Sequence, residues 1–134
     1  MSNAIVQVGP SVELSPGHTL IRAVLGGTIG SEDMPLLNAW ADGVYAAVKS
    51  ASKEGDRAAC VLLDLSTFET YTDPGMITFF AELMKKDAPY VHRTATFGGN
   101  MFDEMAVEVI EGMAHRNNLR NFKTEAEAMA WLKE

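Results

Sequence analysis

Apolar residues fall into short runs over the first thirty positions and into helical stripes after them. Ile5-Val6-Gln7-Val8, Val12-Glu13-Leu14 and Thr19 to Leu25 are separated by Gly9-Pro10 and Ser15-Pro16-Gly17-His18. That alternation of β-formers with turn residues predicts a β-meander. Gly26-Gly27-Thr28-Ile29-Gly30-Ser31 closes it, and Ser31 or Asp33 is placed to cap a helix whose first turn carries Glu32 and Asp33. In that helix Leu36, Leu37, Trp40, Val44, Ala47, Val48 and Ala51 recur at three- and four-residue steps, which turns one stripe to the core and leaves Asp42, Lys49 and Lys53 wet. Gly55 is a natural stop.

From Ala58 to Leu65 every residue except Asp64 is apolar, the mark of a strand covered on both faces. Ser66 to Thr72 reads as a polar loop, and Asp73-Pro74 as an N-cap with proline at the first helical position. Met76, Phe79, Phe80, Leu83 and Met84 give the second helix its stripe, and that helix ends before Pro89. Thr94 to Phe97 is a short strand that runs straight into Gly98-Gly99-Asn100. Asn100 suits the cap of a third helix, with Phe102, Met105, Ala106, Val109 and Met113 along one side and His115 and Arg116 in its last turn. Asn118 fits the left-handed residue beyond it, Leu119 to Phe122 a brief strand, and Thr124-Glu125-Ala126-Glu127 a capping box before a short final helix. Strands alternating with helices at these spacings imply right-handed βαβ units and an α/β fold with a mixed, mainly parallel sheet.

Composition narrows the class of function more than it names one. The 134 residues fit one domain of residues 1–134, and 11 basic against 18 acidic side chains leave a net charge of −7. That balance opposes non-specific binding to nucleic acid. No run approaches the roughly 18 apolar residues of a membrane span, and the first residues lack the basic and apolar regions of a secretory leader, so a cytoplasmic location is expected. The single cysteine, Cys60, sits in an apolar run where a thiol behaves as a small hydrophobe.

Gly27-Thr28-Ile29-Gly30-Ser31-Glu32-Asp33 before the first helix, Leu62-Leu63-Asp64-Leu65-Ser66 with Phe68 beyond, a short strand entering a turn at Gly98, and Phe122 followed by Glu127-Ala128-Met129-Ala130-Trp131-Leu132 occur in order along the chain. In this the sequence resembles the SpoIIAA-like family, relatives of the STAS domain of bacterial anti-sigma-factor antagonists and anion-transporter tails. The resemblance runs from about Leu20 to Leu132 and implies a sheet of about four or five strands with about four helices packed against it. It implies a small binding or signalling module with no chemistry common to the family. Kinase-switched members carry an Asp-Ser-Ser-Gly-like run before the second helix. Aligned on Gly75, this chain reads Thr72-Asp73-Pro74-Gly75, so proline stands at the phosphoacceptor position and the usual phosphoserine switch is absent. Hydroxyls remain nearby on Ser66, Thr67, Thr70 and Thr72, where they either satisfy local backbone groups or offer a modification or contact site.

Candidate chemistry therefore gathers in two places. The first is the loop after the central strand, with Asp64, Ser66, Thr70, Thr72, Asp73 and Gly75, as a surface for a protein partner or a small apolar or anionic ligand. Asp64 with Glu69 or Asp73 is also the pair a small enzyme would use, against a structural role in which Asp64 accepts hydrogen bonds from the loop. The second is Gly98-Gly99-Asn100, whose amides can cradle an anion or simply make a tight turn. It lacks the further glycine of a dinucleotide fingerprint and the Gly-Lys-Ser/Thr of a P-loop. His18, His92 and His115 are not at metal-ligand spacing, and no cofactor is implied. Eight methionines and the adjacent Phe79 and Phe80 predict an apolar excess on the second and third helices, suited to a pocket or to a homodimer surface.

Overall fold

The computed structural model describes residues 4–72, 75–98 and 104–134, with the side chains of 104–106 left aside. Strands β1 (Ile5–Val8), β2 (Val12–Ser15) and β3 (His18–Ile29) are followed by a 3-10 turn over Ser31–Asp33 and by helix α1 (Met34–Ala51). Then come β4 (Ala59–Asp64), β5 (Phe68–Tyr71), α2 (Met76–Asp87), β6 (Val91–Phe97), α3 (Glu104–Ala114), β7 (Leu119–Phe122) and α4 (Glu125–Lys133).

The sheet has seven strands rather than the expected four or five, with the order β1-β3-β4-β6-β7 and with β2 and β5 also on β3. The excess comes from β3, which is long enough to take four partners. Antiparallel β2 pairs with its first residues and antiparallel β1 with Ala23 to Gly26. Parallel β4 runs beside Thr19 to Val24, and parallel β5 beside Gly27 to Ile29. β5 corrects the reading of Ser66 to Thr72 as loop throughout. Its partner segment was expected to be a turn because of Gly26-Gly27, yet both glycines stay in the strand. Gly27, at φ 75°, donates its N–H to Thr67 O at 2.8 Å, and a side chain on Gly26 would overlap Thr67 Oγ1. β6 and β7 complete the parallel part.

Alternation along the strands divides the core. Ala23, Leu25, Leu63, Leu65 and Leu119 face α1, α2 and α3, packing against Leu37, Trp40, Val44, Phe80, Met84 and Ile110. Leu20, Cys60, Leu62, Ala95 and Phe97 face the opposite way, onto Ala128 and Leu132 of α4. β4 is thus covered on both sides, as its unbroken apolar run requires.

Three helix expectations need adjusting. Leu36 is 43% exposed, because the buried stripe of α1 narrows to Leu37, Trp40, Val44 and Val48. In α3 Ile110 and Ala114 are buried while Val109 and Met113 are 44% and 43% exposed, so the core-facing stripe is rotated from the expected one. The left-handed residue after α3 is His115, at φ 56°, not Asn118. The Arg116 N–H then closes the helix onto Glu111 O at 2.9 Å. Asp33 is buried, and its Oδ2 accepts from Gly30 N at 2.8 Å. The caps expected at Asp73-Pro74 and at Asn100 lie outside the described residues.

Candidate functional site

Parallel strands end together, and β4 and β6 bring the two sequence-flagged segments to one place. Asp64 is the last residue of β4. Its Oδ1 accepts from the Ser66 backbone N–H at 2.8 Å and from Ser66 Oγ at 2.6 Å, closing a tight Asx turn. Leu65 N–H bonds to Phe97 O at 2.9 Å, which ties that turn to the end of β6. Gly98 follows at φ 87°, and a Cβ there would lie 2.9 Å from Ser66 Cα and 3.0 Å from Ser66 N. Only glycine satisfies both the left-handed backbone and that approach. Asp64-Ser66 and Gly98 are therefore one surface at the carboxyl ends of the strands, where open α/β sheets take ligands.

β5 extends this surface along β3. Ser66, Thr67, Glu69, Thr70 and Thr72 are exposed, with Thr70 opposite Thr28 in the ladder, and Thr72 N–H is fixed to Ile29 O at 2.9 Å. Thr28 Oγ1 lies 3.5 Å from Glu69 Oε1, so Glu69 turns toward β3. Asp64 accepts two hydrogen bonds from Ser66, while Glu69 turns away from it toward Thr28. Gly75 is exposed at the start of α2. Asp73, Gly99 and Asn100, named with these residues, lie outside the described part of the chain.

The apolar excess anticipated on α2 has a definite location. Phe80 is fully buried and meets Trp40 and Phe79 edge to face, while Phe79 is half-buried in a groove of about 460 Å³ between α1 and α2. Ala41 and Leu83 join Phe79 in lining it, and Asn38, Asp42, Glu82, Lys85 and Lys86 supply its polar groups.

A buried network escaped the sequence reading. Arg116 and Asp87, 29 positions apart, form an ion pair at 2.7 Å with side chains only 5% and 3% exposed. The same guanidinium donates to Met84 O at 2.9 Å, to Asn118 Oδ1 at 2.7 Å and to Thr94 Oγ1 at 3.3 Å. Asn118 in turn donates to His92 O at 2.7 Å. Burial pushes the Asp87 carboxyl up to about 7 against the pull of Arg116, and the same burial lowers the Arg116 pKa. Arg116 reads as a helix-end charge in sequence and Asp87 gives no signal, and only the packing of α2 on α3 pairs them. Burial also raises the Cys60 thiol, with the nearby Arg93 opposing, which leaves that sulfur a core group.

The chain matches no protein-family model and no curated protein. Among solved structures it is similar to an uncharacterized protein of the DUF3478 family with a SpoIIAA-like fold, from Shewanella loihica PV-4. The TM-score is 0.63 at 16% identity, covering 98% of this chain and 97% of that one. A likeness at that identity carries architecture and not activity. The four helices and mixed sheet described above are accordingly a SpoIIAA-like α/β fold. Among the described residues, no helix is long and apolar enough to cross a membrane, and no group of three or more His, Cys, Asp or Glu is placed to hold a metal.

Proposed function

We propose that the chain is a non-enzymatic STAS-like binding module of the cytoplasm. It engages a protein partner through the segment from Ser66 to Gly75 and the start of α2, without a phosphoserine switch. One observation carries this reading: exposed Ser66, Thr67, Thr70 and Thr72 are held by ladder and turn hydrogen bonds at the carboxyl ends of the parallel strands, beside Gly98. Short hydroxyl side chains on rigid backbone suit recognition of a partner's polar groups at low entropic cost. Asp64 supports the same role, since its Oδ1 shapes the loop through Ser66.

A photo-crosslinking residue at Thr70 tests the proposal, with the same residue at exposed Ser50 on α1 as control. A discrete crosslinked partner at Thr70 and none at Ser50 is the expected result. Equal crosslinking at both positions, or substrate turnover by the pure protein with no partner captured, would overturn it.

A second reading, a homodimer through α3, rests on the adjacent exposed pair Val109 and Met113. Light scattering behind size exclusion decides it. A dimer at micromolar concentration that a Val109→Ser, Met113→Ser variant abolishes supports it, and a monomeric wild-type chain rejects it.

A further inference from the structure

At the opposite end of the sheet the charge of the molecule reverses. The chain carries five arginines and a net charge of −7, yet Arg57, Arg93 and Arg120 share one open basin of about 660 Å³ with His92 and Trp131, and Arg116 borders the adjoining hollow. The basin lies at the amino ends of β4 and β6 and along the outer strand β7.

Three features distinguish it from a chance surface cluster. First, two of the three arginines stand against aromatic rings: the Arg93 guanidinium is 4.9 Å from the Trp131 ring centre and the Arg120 guanidinium 6.0 Å, and Arg120 is also 5.8 Å from Phe122. Stacking fixes a guanidinium plane while leaving its edge donors available. Arg93 spends one donor on Trp131 O, at 2.6 Å. Second, Arg57 sits at φ 52°, a left-handed position that costs a side chain with a Cβ. Its turn is clamped on both sides, by Gly55 N–H on Pro89 O at 2.8 Å and by Ala58 N–H on Ser52 Oγ at 2.8 Å. Third, Arg57 and Arg120 make no ion pair among the described residues. Partial burial lowers the His92 pKa, and the neighbouring charges of His18, Arg93 and Arg57 add to that shift. Glu108 and Glu111 line the α3 side of the basin, and Glu111 Oε2 is engaged by Leu119 N–H at 3.3 Å.

We infer that this basin is a second binding site, separate from the carboxyl-end surface, which takes a phosphomonoester oxyanion between Arg57, Arg93 and Arg120 beside Trp131. Planar guanidinium forks match phosphate oxygens in pairs. The acidic remainder of the surface disfavours extended polyanions and so selects a compact ligand.

The test titrates the full chain with inorganic phosphate and, separately, with a Gly-phosphoserine-Gly peptide, using calorimetry and Trp131 fluorescence. Unphosphorylated peptide and acetate are the controls. Saturable binding that weakens with salt, and that falls about tenfold or more in an Arg57→Ala, Arg120→Ala variant of unchanged Tm, is expected. Glu108→Gln should tighten it. Tighter binding of the peptide than of phosphate assigns the ligand to a modified protein, and equal binding assigns it to a small metabolite. No saturation by either phosphate compound, or the same affinity in the double-arginine variant, overturns the inference.

Discussion

The two ends of the parallel sheet are built by opposite means. At the carboxyl end, short side chains and glycines let backbones approach: Asp64 folds onto Ser66, two residues away, and Gly98 lets β6 close against that turn. At the amino end, long charged side chains bridge elements distant in sequence, and Arg116 alone joins α2, β6 and the segment before β7. The first construction stores its specificity in backbone geometry, the second in electrostatics. A pairing of buried charges responds to pH, and at the amino end that response is carried by Asp87 and Arg116.

The largest expected effect comes from the amino end. Arg116→Ala removes the cation from beside a buried carboxylate and leaves Met84 O and Asn118 Oδ1 without this donor. It should cost about 3 kcal/mol, read as a fall in denaturant midpoint. If a double Arg116→Met, Asp87→Leu variant recovers most of that loss, the pair serves specificity more than stability.

Next is Gly98→Ala, which meets both the positive φ and the 2.9 Å approach of Ser66 Cα. A loss of about 2 kcal/mol is expected by thermal unfolding. A neutral result would show that the carboxyl-end turn is slack and would weaken the contrast.

The pH response distinguishes the two ends most directly. Asp87 titrates at about 7 in the folded chain against 3.8 in the unfolded one, so the folded state holds the extra proton between those values. Stability therefore falls as pH rises from about 4 to 7, and Asp87→Asn removes that slope. His92 has a lowered pKa, so the unfolded chain holds the extra proton, and this contribution is lost as pH falls through the region below 6.5. Urea titrations of Asp87→Asn and His92→Gln should separate the two opposing trends. No change of slope in either variant would break the electrostatic account of the amino end.

The smallest effect belongs to Asp64. Asp64→Ala loses two local hydrogen bonds and should cost about 1 kcal/mol, while Asp64→Asn keeps an acceptor for Ser66 N–H and should be close to neutral. Loss of a catalytic rate in the Asn variant at unchanged Tm would instead make Asp64 a reacting group.

These contrasts explain what the sequence makes legible. Features set within a few residues can be read directly: Thr124 caps the final helix, its Oγ1 accepting from Glu127 N–H at 3.2 Å, which is one half of the expected capping box, while the same hydroxyl donates to Glu127 Oε1 at 3.0 Å. The doubly covered β4 and the parallel order follow from apolar runs and spacing in the same way. Asp64 and Gly98 can each be flagged locally, but their meeting depends on β4 lying beside β6. The Arg116–Asp87 pair and the arginines around Trp131 carry no local signal at all. β5 is hidden for a related reason: Phe68-Glu69-Thr70-Tyr71 is polar on one face, and it becomes a strand only because Gly26 and Gly27 extend β3 far enough to receive it.

The division of the sheet's partners into short pieces also bears on solubility during folding. One flank of β3 carries two four-residue strands interrupted by Gly9-Pro10, and the far side of the sheet ends on four-residue β7 with Arg120 in its middle. Neither boundary offers a long flat ladder of free N–H and C=O groups to another copy, so edge-to-edge growth into fibrils is checked at both sides. Any self-association of this chain is thereby directed to its helices.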